Sequence, residues 1–310
     1  MIKNISSNND LSFLACIYSI FLCILFGANA VAIKISLCGL GAFTTAGLRF
    51  TIASIVICLW AKTSGLSFKI REGQLYQLFV ITIIFTVQLS LFYLGLSKTN
   101  ASRGTLLVNI LPFFVLFLAH FFIPGDRITV RKIIGMVTGF AGVAFVFFEK
   151  ESVTADFQTG DIIILAVAFL WACNIVYVKR IIDSFEAFHI VLYPMIFSVP
   201  FFFIEGFLWD SNMIAYVDLK ILGSLLYQSL VTASFGFVAW NMMLKKYGAT
   251  ALHSFVFVMP ISGVVLGGIV LEEPITFNIM IALLLVVSGI IVINFKPKKP
   301  TPIFPLGRGI

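Results

Sequence analysis

Runs of about twenty apolar residues recur along this chain, the length a helix needs to cross a hydrocarbon core about 30 Å thick. Ten can be marked off, at about residues 12–34, 43–61, 74–96, 101–123, 131–148, 161–180, 188–209, 220–243, 249–271 and 276–295. Only 11% of the residues are charged and the mean hydropathy is +1.07, whereas a soluble domain carries about 25% charged residues. Barrel strands alternate polar and apolar positions over about ten residues, and these runs do not. The expectation is an all-α integral membrane protein with ten transmembrane helices.

The second half of the chain repeats the first. At an offset of 148, Leu96, Lys98, Ala101, Val108 and Pro112 fall on Leu244, Lys246, Ala249, Val256 and Pro260; at 147, Ile128-Thr129 falls on Ile275-Thr276 and Gly142 on Gly289. At 145, the stretch Phe26 to Lys34 falls on Trp171 to Lys179, bringing Asn29 onto Asn174 and Val31 onto Val176. Apolar segments match one another by accident, but Lys, Pro, Asn and Ile-Thr agreements in one order point to a duplication. Five crossings per copy is an odd number, so the second copy enters the membrane inverted. That arrangement is typical of transporters, which hold substrate near the midplane between the repeats. The expected organisation is a cytoplasmic lead over 1–11, a first five-helix repeat over 12–148, an outer linker over 149–160, a second repeat over 161–295 and a basic, proline-rich tail over 296–310.

Lys and Arg fix the orientation. Placing both termini and the loops after the even-numbered spans on one side gathers fifteen basic residues there, against five opposite, with Arg49 inside the second span. The positive-inside rule then puts both termini in the cytoplasm of an inner (cytoplasmic) membrane. The net charge of +7 is accounted for by this topology, and nucleic acid is not an expected partner.

Gly27-x-Asn29-x-x-x-x-Lys34, Leu48-Arg49-Phe50, the run from Ala101-Ser102 to Pro112, and the acidic turns leading to Ile-Thr at Asp126 to Thr129 and Glu273 to Thr276 resemble the EamA-type, ten-helix branch of the drug/metabolite transporter superfamily. The resemblance covers about residues 12 to 295. It implies a carrier of amino acids, related metabolites or other small molecules, mostly outward, through a cavity shared by the repeats, with the fifth and tenth helices at the periphery.

Amides inside spans need a partner or water. Asn29, Gln88, Asn109, Asn174, Gln228 and Asn241 are such groups, and each either bridges helices or lines the path; the symmetric pair Asn29 and Asn174 fits the path as well as a bridge. Pro112 and Pro260 fall near the middle of the fourth and ninth spans, where each frees the carbonyl four residues back, at Val108 and Val256. Asn109 beside the first of these marks a polar corner. Tyr93, Trp171, Tyr177 and Trp240 flank the polar positions, as substrate contacts or as interfacial aromatics.

Carboxylates are scarce. None stands between Asp10 and Glu72 or between Glu72 and Asp126, which disfavours organic-cation/proton antiport, a chemistry that needs a buried acid. Glu205 is the in-span candidate for proton coupling, with an interfacial position as the alternative. Arg49 and Lys34 are expected to snorkel to the outer face, or to pair with a substrate anion. His120, His189 and His253 are placed at cytoplasmic helix ends. Gly135, Gly139 and Gly142 form a small-residue stripe suited to helix contact within the chain or to a dimer.

The five cysteines make no CxxC, and no phosphate loop, triad or ligand cluster is present. Neither enzyme nor cofactor nor metal is therefore expected. The reading is a secondary transporter of small neutral, zwitterionic or anionic metabolites, a monomer or homodimer in the lipid bilayer. The alternatives are a flippase or exchanger for lipid-linked or phosphorylated cargo and, from another class, a membrane enzyme or receptor-like protein.

Overall fold

In the computed structural model, residues 13–71, 73–122, 129–147, 155–181, 184–247 and 255–294 are described. The lead over 1–11, the tail over 296–310, the turn at Asp126, residues 149–154 of the linker and His253 lie outside them.

The described residues are helical and carry no strand beyond one isolated bridge, Leu40 to Ile214. In chain order the helices are α1 (Phe13–Ser36), α2 (Ala42–Thr63), α3 (Gln74–Lys98), α4 (Ala101–Val108), α5 (Leu111–Phe122), α6 (Val130–Phe147), α7 (Ala155–Ile181), α8 (Ala187–Trp209), α9 (Leu219–Leu226), α10 (Phe237–Tyr247), α11 (Val258–Val270) and α12 (Phe277–Asn294). A ten-residue π-helical stretch, Tyr227–Gly236, joins α9 to α10. Among the described residues seven segments are long and apolar enough to cross a membrane, and Val258–Val270 and Phe277–Ile293 are shorter apolar helices.

Three spans differ from the sequence expectation. The fourth span breaks at Asn109 and Ile110, so Pro112 is the second residue of α5 and not an interior kink; there its missing amide removes no intrahelical bond. Pro260 likewise sits in the first turn of α11, and the Val256 carbonyl it was expected to free accepts from Met259 N at 3.0 Å. In addition α7 starts at Ala155, drawing residues 155–160 out of the expected linker.

Hydroxyl groups survive in these apolar helices because each can turn back on a carbonyl one turn earlier. Ser19 bonds Ala15 O, Ser36 bonds Ala32 O, Thr82 bonds Leu78 O and Ser229 bonds Leu225 O. The larger apolar side chains meet in one core, in which Phe50, Tyr93, Phe113 and Phe202 are fully buried.

Helix pairing carries the chain between its two ends. The principal pairs are α1 with α11, α2 with α8, α3 with α7 and α8, α5 with α7, α4 with α7 and α11, and α6 with α12; α1 and α2 also pack on α9 and the π-helical stretch. The glycine stripe of α6 is used inside the chain. A Cβ at Gly135 would stand 2.7 Å from Ile293 Cγ1 and 2.8 Å from Gly289 O, and one at Gly289 would stand 2.7 Å from Gly135 O. Gly135 and Gly289 face each other across the contact of α6 with α12 and are not available to a second copy. The other faces of α6 and α12, with Val137, Ile134, Phe277 and Leu284, are exposed.

Because backbone and not a flexible side-chain end opposes Gly289, Gly289→Leu overpacks the contact, at about 1–3 kcal/mol or more. Size-exclusion profiles and melting curves in detergent should show a broadened peak and a lowered midpoint. Gly223→Leu is the control, since nothing lies within 4 Å of its added Cβ.

Candidate functional site

Four elements meet around one buried side chain. Arg49 of α2, expected to snorkel outward, is instead 4% exposed. It points inward because polar partners wait on other helices: its Nη1 donates to Tyr93 Oη at 3.1 Å and its Nη2 to Thr232 Oγ1 at 3.2 Å. Tyr93 Oη then donates to Gln228 Oε1 at 2.9 Å, and Gln228 Nε2 donates to Ser36 Oγ at 2.7 Å and Ala32 O at 3.2 Å. The Thr232 hydroxyl has Asn29 Oδ1 at 2.9 Å and Gln228 O at 2.8 Å within donating distance, with one proton to give. The network joins α1, α2, α3 and the π-helical stretch. A π-helical segment inside an α-helix is found mostly at functional sites, and here it carries Gln228 and Thr232, four residues apart, into the seam.

A second amide pair lies where α3 meets α7. Asn174 Nδ2 donates to Gln88 Oε1 at 3.4 Å, and both residues are buried. Asn174 Oδ1 has no partner among the described residues. Each of the two asparagines that align at an offset of 145 is thus bonded to a distant helical segment: Asn29 of α1 to Thr232 of the π-helical stretch, and Asn174 of α7 to Gln88 of α3.

The remaining sequence candidates are placed as follows. Asn109 donates back to Thr105 O of its own helix at 2.8 Å, which spends the amide locally. Trp171 is half-buried and meets Phe92 edge-on at 6.2 Å. Trp240 meets Phe26 edge-on at 5.9 Å, away from the arginine network. Tyr177 is half-buried on α7, and the side chain of Asn241 lies outside the described ones. Lys34 donates to Leu96 O at 3.0 Å, at the carbonyl end of α3, where a cation is favoured. Glu205 is half-buried and accepts from the Ser90 hydroxyl of α3. His189, expected at a solvated helix end, is buried with Nε2 2.8 Å from Ser67 O.

Carboxylates form clasps that sequence reading missed. Asp210, just past α8, accepts from Phe43 N at 3.3 Å, Thr44 N at 2.9 Å and Thr44 Oγ1 at 2.8 Å, closing the N-terminus of α2. Glu273, just past α11, accepts from Ala101 N at 2.7 Å, Ser102 N at 2.8 Å and Ser102 Oγ at 2.6 Å, closing the N-terminus of α4. Asp161 pairs with Arg103 and accepts from Thr99 Oγ1 at 2.6 Å, both partners being buried. Helix N-termini present unpaired amides and a positive dipole end, which suit an acid. Capping from a distant helix leaves no local sequence signal.

A polytopic helical protein with a buried polar seam is the class these features define. The chain belongs to the EamA-like transporter family, which it matches over residues 13–148 and 158–295. It is 23% identical over 275 residues to the uncharacterized transporter YoaV of Bacillus subtilis (strain 168), covering 88% of this chain and 94% of that one. It is 21% identical over 282 residues to a probable amino-acid metabolite efflux pump of Escherichia coli (strain K12), covering 88% and 92%. A solved crystal structure superposes with a TM-score of 0.68 at 17% identity, over 91% of this chain and 98% of the other, which shows a shared fold. The protein is thus a multi-pass membrane transporter of this family and not an enzyme.

Loss of a charged cap removes about 1–2 kcal/mol. Glu273→Ala and Asp210→Ala should each lower the melting midpoint of the purified protein by a few degrees, and unchanged midpoints would mean that these acids do not hold the helix ends.

Proposed function

We propose that the chain is a secondary transporter of the cytoplasmic membrane that moves small metabolites outward by alternating access. In this reading ten crossings form two inverted repeats, over 12–148 and 161–295, with both termini in the cytoplasm. The fourth crossing is α4 with α5, and the eighth is α9, the π-helical stretch and α10. The observation that carries the reading is the reciprocal bonding of the equivalent asparagines, Asn29 to Thr232 and Asn174 to Gln88, at the two places where an end helix of one half meets the third helix of the other.

Helix pairing supports it. Exchanging the halves turns the α1 with α11 contact into α7 with α4 and α5, the α3 with α7 contact into the π-helical stretch with α1, and the α3 with α8 contact into that stretch with α2. Each of these contacts is present, while α2 with α8 and α6 with α12 exchange with themselves. A two-fold relation of this kind, with substrate at the repeat interface, is how such transporters alternate. The path follows the seam of Asn29, Gln88, Tyr93, Asn174, Gln228 and Thr232.

In the orientation read from Lys and Arg, Asp161, Asp210 and Glu273 all lie at the outer end. Asp210 and Glu273 each tie a second-half acid to a first-half helix, so this conformation is clasped outside, and outward release of cargo requires the clasps to part. Glu205, inside α8 and bonded to Ser90 of α3, is the acid placed to couple protons to that movement. The relatives named as amino-acid metabolite efflux pumps, 21% identical to this chain, support amino acids or related compounds as cargo.

A cargo is identified first, by thermal stabilisation of the purified protein across a panel of amino acids and metabolites. Asn29→Ala and Asn174→Ala should then each cut counterflow of that labelled compound in proteoliposomes about tenfold with the melting midpoint retained. Normal flux in both variants would remove the asparagines from the path.

A further inference from the structure

We infer that Arg49 anchors a carboxylate of the cargo, which makes the cargo a small organic acid or a zwitterion with one negative charge at the anchored end; the inference rests on the transport reading above. Two buried arginines stand in contrasting settings. Arg103 is 2% exposed and is neutralised, with Nε donating to Asp161 Oδ2 at 3.0 Å and Nη2 to Val146 O at 2.9 Å. Arg49 is about as buried, and no carboxylate among the described side chains lies within ion-pair distance of it. Its neighbours are the neutral hydroxyls of Tyr93 and Thr232 and the ring of Phe50, whose centroid is 5.1 Å from Cζ.

The acids that might have served it are engaged elsewhere. Asp161 holds Arg103, Asp210 and Glu273 hold helix ends, Asp218 holds Ile221 N, and Glu205 takes the Ser90 hydroxyl. A lysine in this position can relieve burial by losing its proton, but a guanidinium keeps its charge. Arg49 Nε, buried, has no hydrogen-bond partner among the described residues. A buried cation with an orphaned donor is a costly arrangement in a hydrocarbon setting, and a ligand carboxylate supplies both missing parts. One negative charge balances one positive charge, and two coplanar oxygens match the edge formed by Nε and Nη2.

The charge count separates carboxylate from phosphate. Lys34 gives its ammonium to Leu96 O, so a phosphate dianion would meet only the one cation in the network and leave a negative charge buried. The ring of partners also explains how binding reaches both halves. Arg49 and Tyr93 belong to the first, while Gln228 and Thr232 come from the π-helical stretch of the second. A carboxylate that draws the guanidinium away from Thr232 or Tyr93 alters bonds on both sides of the seam, and a ligand shifts a conformational equilibrium only through such differential contacts.

The experiment compares matched probes: the L-amino acids and a series of two- to six-carbon carboxylic acids, each beside its primary amide, together with inorganic phosphate. Melting shifts and counterflow are measured for the wild type, Arg49→Lys and Arg49→Gln. The expected result is that at least one acid stabilises the wild type by several degrees and is carried, its amide and phosphate do neither, and both variants bind the acid at least about tenfold more weakly. Equal action of acid and amide, response to phosphate alone, or acid binding unchanged in Arg49→Gln overturns the inference. If Arg49→Gln does not fold, the acid and amide comparison on the wild type decides. A neutral solute carried equally by wild type and Arg49→Lys would leave the transport reading intact and sink the carboxylate anchor, whereas flux of no probe at all counts against the transport reading itself.

Discussion

Hydrocarbon offers no water to a polar group, and this protein is built around that shortage. An unpaired amide in the bilayer core costs several kcal/mol, so most buried polar groups of the described helices have their place set by a partner in protein, with Arg49 Nε, Thr105 Oγ1 and Asn174 Oδ1 among the exceptions. Most threonines and serines solve the problem within one turn of their own helix. The groups that cannot do so, Arg49, Tyr93, Gln228, Asn29, Asn174 and Gln88, are bonded between helices, and they lie where the two halves of the chain touch. The polar seam and the interface between halves coincide because the same scarcity of partners drives both.

Small residues let that interface close. Gly27 of α1 sits against Met259 O and Ser262 of α11, Gly263 and Gly267 of α11 sit against Thr105 and Ser102 of α4, and Gly135 and Gly289 bring α6 and α12 together. Between apolar helices in lipid, close backbone approach is a main source of attraction. The carboxylate clasps add direction: Asp210 and Glu273 each cross from one half to the amide end of a helix in the other. Such bonds are charge-assisted, and they fix how the two helix ends sit in this conformation.

Much of this was legible in the residue order. The first three apolar runs and the seventh fell within a few residues of observed helices, since about twenty apolar residues leave little choice of secondary structure in a bilayer, whereas the fourth is broken and the ninth is helical only over Val258–Val270. The in-span amides Asn29, Gln88, Asn174 and Gln228 stood out because an amide has more bonds to satisfy than a hydroxyl, and the structure brings them into bonds between helices. Arg49 was misread as snorkelling because the sequence shows its depth but not the Tyr93 and Thr232 hydroxyls on other helices. Lys34 finds its acceptor at the end carbonyl of α3, a contact that residue order does not show. Pro112 and Pro260 looked like interior kinks, yet each opens a helix, because the chain breaks just before it. Thr232, Ser36 and Ser90 went unnoticed, as a lone hydroxyl in an apolar helix usually bonds its own backbone and gives no sign when it bonds another. The clasps at Asp210 and Glu273 join residues more than 160 positions apart, and only the fold brings them together.

The central claim is that the two halves must shift against each other for cargo to pass. Thr86 of α3 donates to Ser198 of α8 at 2.8 Å, both buried, so the pair Thr86→Cys and Ser198→Cys, in a chain whose five native cysteines are replaced, places two thiols where a disulfide can form. Flux in proteoliposomes should stop when that bridge is closed by an oxidant and return when it is reduced. Undiminished flux with the bridge fully formed would contradict the account.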